Sequence, residues 1–149
     1  MGREDFLKKI DGKLAAAEKT KAEKESQRKV LEAKVVAIVK EVVPVLDGYK
    51  TELEKRNIAV EFLSGPTSFS FLMHYADGGH HGIELRPDYE HGTYNLDSLF
   101  TDYDSRNYRS SGPSVGDGWS IDVLESIVQR TIDEFLSYAP RHNGPRKVR

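Results

Sequence analysis

No cysteine occurs among the 149 residues. Disulfides, thiolate-bound zinc, iron–sulfur clusters and thiol nucleophiles are thereby excluded, and the composition suits a reducing compartment. Long apolar runs are missing too, so no segment has the composition of a membrane-spanning helix. Charges interrupt every apolar stretch of the opening MGREDFLKK, which does not read as a secretory signal. The expectation is a soluble cytoplasmic protein with no membrane partner. Lysine is absent from residues 58–140, which hold 4 Arg against 13 acids, a net of −9. Residues 1–57 carry 14 Lys/Arg and 11 Asp/Glu, and residues 141–149 carry 4 Lys/Arg and no acid. A body so charged repels nucleic acid and favours a basic protein partner. With 31% charged and 38% hydrophobic residues, the chain has material for a modest core and much solvated surface.

Proline and most glycine are lacking from residues 3–43, where Ala, Glu, Lys and Leu dominate. That composition predicts one long helix. A three–four spacing runs through Leu7, Ile10, Leu14, Ala17, Lys21, Lys24, Arg28, Leu31, Val35, Ile38, Val42 and Val45. Acids follow the seam at Asp11, Glu18, Glu25 and Glu32, with Lys13 and Lys34 flanking it, as in a coiled coil. Leu7, Ile10, Leu14 and Leu31 are the expected oligomerisation residues. Lys21, Lys24 and Arg28 are the seam's defect, three cations at consecutive core positions. Pro44 predicts a kink or break near Val43, with a shorter helix continuing to about Arg56.

Beyond it lie short alternating segments. IAVEFL, SFSFLMHY, GIELR and TYNLDSLF are separated by Gly, Pro and Asp punctuation, which predicts a four-stranded antiparallel meander. A final helix begins at Ser120 and carries the stripe Ile121, Leu124, Val128, Ile132 and Phe135, expected to cover the sheet. The fold class is thus α+β: a long coiled-coil-like helix over 1–43, an α+β domain over 44–140 and a basic, disordered tail over 141–149.

The stretch DGGHHGIE, 77–84, poses the chemical question. A three-residue loop Asp77-Gly78-Gly79 would pair Met73 with Ile83 and Phe71 with Leu85, keeping the apolar sets on one face. The next hairpin, with Arg86 facing Thr93, pairs Leu85 with Tyr94 and Ile83 with Leu96. His81 then points inward, opposite Tyr75. His74, His80 and Glu84 gather outside around Gly82, within reach of Asp97. Two imidazoles and a carboxylate could hold Zn²⁺ or another divalent metal; a solvated outer face has the same composition.

The connection 101–119 is long and contains Tyr103, Arg106, Tyr108 and Arg109, residue types that anchor protein interfaces. It also leaves room for a fifth strand at Asn107–Ser110. These features favour a non-catalytic protein-binding protein, such as an oligomerising adaptor, a chaperone-like protein or an inhibitor. It would use its acidic sheet domain and the 101–119 loop, and no cofactor. Two alternatives compete with it. One is a metal-dependent hydrolase built on His74, His80 and Glu84. The other is an acidic mimic of nucleic acid that blocks a basic groove.

Overall fold

The computed structural model describes residues 2–88, 91–102, 104–116 and 118–149. Helix α1 runs unbroken over Arg3–Lys55, 53 residues, or roughly 80 Å at the α-helical rise. Of the kink or break expected at Pro44, the break does not occur. Pro44 lies on the exposed side, while Val42 and Leu46 beside it are fully buried, with Val35, Val39 and Leu53 also in the core. Burying that stripe offsets a penalty of about 3 kcal/mol for an internal proline. Asn57 ends the helix at φ 63°, with the Ile58 amide bonding to the Leu53 carbonyl at 3.1 Å and the Asn57 amide to Glu54 at 3.0 Å. This pair of bonds is a Schellman stop, closed by the buried side chains of Leu53 and Ile58.

Five antiparallel strands follow among the described residues: β1 Val60–Ser64, β2 Phe69–His74, β3 His80–Asp88, β4 Thr93–Thr101 and β5 Asn107–Ser110, paired in chain order. The count is five where the sequence pattern predicted four. Every residue of β5 is exposed, so its sequence carries no apolar alternation. After β5 the chain stays on β4. The Leu96 amide bonds to Pro113 and the Val115 amide to Tyr94, while Ser114 bridges Asn95. One extra residue between the Ser98–Ser110 and Asn95–Ser114 pairs makes a bulge at this edge.

Helix α2, Ile121–Tyr138, starts at Ser120, whose side chain accepts a hydrogen bond from the Val123 amide. Its face of Leu124, Ile127, Val128, Thr131 and Phe135 is buried beside the C-terminal half of α1. Both helices cover the sheet face made by Phe69, Phe71, Met73, Ile83, Leu85, Tyr94 and Leu96.

The tail is ordered, contrary to expectation. A 3-10 turn, Ala139–His142, leads into Asn143 and Gly144 at φ 65° and 84°. Pro145 then bridges Tyr75, the Arg146 amide bonds to His74, and the Arg146 carbonyl accepts from Ala59. These bonds satisfy backbone groups at the ends of β1 and β2 that would otherwise lack partners. His142 is buried, stacks on Tyr75 with centroids 4.3 Å apart, and places Nδ1 2.7 Å from Asp77 Oδ2. Tyr75 stacks in turn on Phe135 at 4.5 Å.

Candidate functional site

The register at DGGHHGIE differs from expectation by two residues. The three-residue loop is Ala76-Asp77-Gly78, closed by the Tyr75 amide on Gly79 at 2.8 Å, and only Gly78 takes a positive φ of 96°. Phe71 therefore faces Ile83 and Phe69 faces Leu85, while Met73 rather than Tyr75 faces His81. The loop length remains odd, so the faces are preserved. The β3–β4 pairing shifts likewise, with Leu85 opposite Leu96 and Glu84 opposite Asp97.

His81 is buried on the inner face, its Nε2 3.0 Å from Glu134 Oε2. Burial lowers its pKa below the ordinary 6.5, with Glu134 opposing the shift and His142 adding to it. His74 and His80 stand directly opposite each other on the outer face, not diagonally. His74 Nε2 lies 3.0 Å from Glu61 Oε2. Burial, then His74, lowers the pKa of His80.

Glu84 does not join them. Its Oε1 accepts from Arg109 Nη2 at 2.7 Å. The expected convergence of His74, His80 and Glu84 is absent, and among the described residues no three His, Cys, Asp or Glu groups are placed to hold a metal ion. The two-residue shift between β2 and β3 carried His74 from Gly82 to His80, away from Glu84, and the matching shift between β3 and β4 set Glu84 opposite Asp97.

The outer face holds instead an ionic ladder that sequence reasoning missed. Asp97 is fully buried there, and its Oδ2 accepts from Arg86 Nε at 3.0 Å and Arg109 Nη1 at 2.8 Å. Burial works to raise the Asp97 pKa, but Arg109, Arg86 and the Gly112 amide together hold it below the ordinary 3.8. The bond to Asp97 raises the pKa of Arg109 in turn, helped by Glu84. Alternation in TYNLDSLF marks Asp97 as outward-facing, but the arginines that cover it come from β3 and β5, and the Gly112 amide is added by the bulged edge after β5. A glycine is required there because a Cβ on Gly112 would run into the Leu96 carbonyl oxygen.

The predicted partner-binding residues divide accordingly. Tyr103 lies outside the described residues. Arg109 is committed to the ladder. Tyr108 stacks on Phe100 at 5.5 Å and donates to Asp104 Oδ2 at 2.9 Å. Arg106 is exposed, with Nε 4.0 Å from Asp104. The segment 107–115 is thus a sheet edge rather than a free loop.

The larger unpartnered feature is the arm. Residues 2–30 are exposed throughout, a projection of roughly 40 Å. Near its end Phe6, Leu7, Ile10 and Leu14 are 63%, 48%, 36% and 60% exposed. Leu31 differs from the other three expected oligomerisation residues, since it packs on the core of its own chain. Between the arm and the β3–β4 hairpin lies a groove of about 710 Å³, lined by Ala17, Lys21, Lys24, Arg28 and Leu31 on one wall and Pro87, Asp88, His91 and Tyr94 on the other. The three cations that interrupt the apolar seam all face this groove.

The chain matches no protein-family model, and no curated protein or solved structure matches it. Among the described residues no helix is long and apolar enough to cross a membrane.

Proposed function

We propose that this chain is a non-catalytic protein-binding protein whose N-terminal arm is its association surface, projected from an acidic sheet domain that meets a basic protein partner. The observation carrying this reading is the exposed arm itself. A helix that projects some 40 Å with Phe6, Leu7, Ile10 and Leu14 uncovered gains nothing from those side chains in the isolated fold. Their burial by another chain would remove apolar area from water at about 25 cal/mol per Å².

The test uses the full chain with Leu7, Ile10 and Leu14 all changed to Gln. Wild type is expected to scatter light as a particle heavier than one chain, and the variant as a single chain. Thermal stability of the dissociated subunit should be unchanged, because these side chains lie outside its core. A wild-type monomer at all concentrations, together with unaltered partner binding by the variant, would refute the assignment.

A further inference from the structure

The seam of the arm is divided into two unlike halves. Its outer half presents Leu7, Ile10, Leu14 and Ala17, and its inner half presents Lys21, Lys24, Arg28 and Leu31 along the groove. From this division the geometry points to an antiparallel, two-fold pairing of arms from two copies of this chain, in which the tip of each arm enters the groove of the other. The inference rests on the self-association reading above and adds the partner, the direction and the register.

Knobs-into-holes packing of antiparallel helices matches the first row of one seam with the second row of the other. Centring the axis between the halves sets Leu7 of one copy against Leu31 of the other. Ile10 then meets Arg28, Leu14 meets Lys24, and Ala17 meets Lys21. No layer faces two cations. Each Lys or Arg lays its methylene stem along an apolar or small neighbour and carries its charge out to the row Asp11, Glu18 and Glu25. A parallel pair in register would instead stack Lys21 on Lys21, Lys24 on Lys24 and Arg28 on Arg28, three successive like-charge layers.

The groove suits this arrangement. Its end at Leu31, Pro87 and Tyr94 is where the incoming Leu7 and Phe6 arrive, and its volume of about 710 Å³ takes several large side chains. Because the contact is isologous, each copy supplies one tip and one groove, and the assembly closes at two.

The absence of native cysteine makes the test clean, since every disulfide formed must come from an introduced thiol. Full-length Leu14→Cys and Lys24→Cys chains are oxidised separately and as an equimolar mixture. Both positions are exposed and far from the core. The expected result is a covalent dimer in the mixture joining one chain of each type, little product from either variant alone, and a wild-type mass of two chains by light scattering. Efficient crosslinking of Leu14→Cys with itself would establish a parallel pair and overturn the antiparallel register while leaving self-association standing. Wild-type monomers with no crosslink in any sample would overturn the register and self-association together.

Discussion

Replacing Asp97 by Asn tests whether the outer-face ladder is a structural element. Asp97 is fully buried, and one of its oxygens receives both Arg86 and Arg109. A hydrogen bond to a charged group contributes about 1.5–3 kcal/mol. Arg86 and Arg109 remain 42% and 39% exposed, so water recovers part of what they lose. Asn also keeps the shape and one acceptor. The expected net loss is therefore about 2 kcal/mol, read as a fall of about 1 M in the urea midpoint. The pH dependence sharpens the test. The Asp97 carboxyl is held below its ordinary 3.8, so its contribution is fully present above that value and disappears as pH falls through the folded-state pKa. Wild-type and Asp97→Asn curves should differ at pH 7 and converge under strong acid. Equal stability at pH 7, or a gap that persists at low pH, would refute the argument.

Four further outcomes follow from the structure. His81, buried and with a lowered pKa, should favour the folded state above its ordinary 6.5 and lose that contribution as pH falls below it; the step should be missing from a His81→Gln melting series. Changing His142 to Ala removes the Asp77 contact and the stack on Tyr75, at about 2–3 kcal/mol; amide exchange at Ala59 and Arg146 should quicken if the tail is pinned as described. Gly112→Ala should cost several kcal/mol through collision with the Leu96 carbonyl, on the order of other overpacked sites. Gly48→Ala, which meets nothing within 4 Å inside α1, should stabilise by about 0.5–1 kcal/mol; urea titration of both glycine variants compares them directly.

The sequence by itself determined the α+β class, the helical nature of residues 3–43, four of the strands, the face parity of DGGHHGIE and the inward turn of His81. All of these follow from composition and from periods of two or three to four, which are local properties of the chain. It also exposed the defect at Lys21, Lys24 and Arg28, though not what lies opposite. Tertiary structure decided the rest. Pro44 stays helical because a sheet holds Val42 and Leu46 on either side of it. The loop moved by one residue, which shifted the β2–β3 pairing by two and brought His74 opposite His80, away from Glu84. β5 exists because β4 offers it an edge, although nothing in NYRS requires a strand. Asp97 is buried by Arg86 and Arg109 from neighbouring strands, and the basic tail is ordered by backbone groups of β1 and β2. Each of these depends on partners distant in sequence, whose contribution no local pattern encodes.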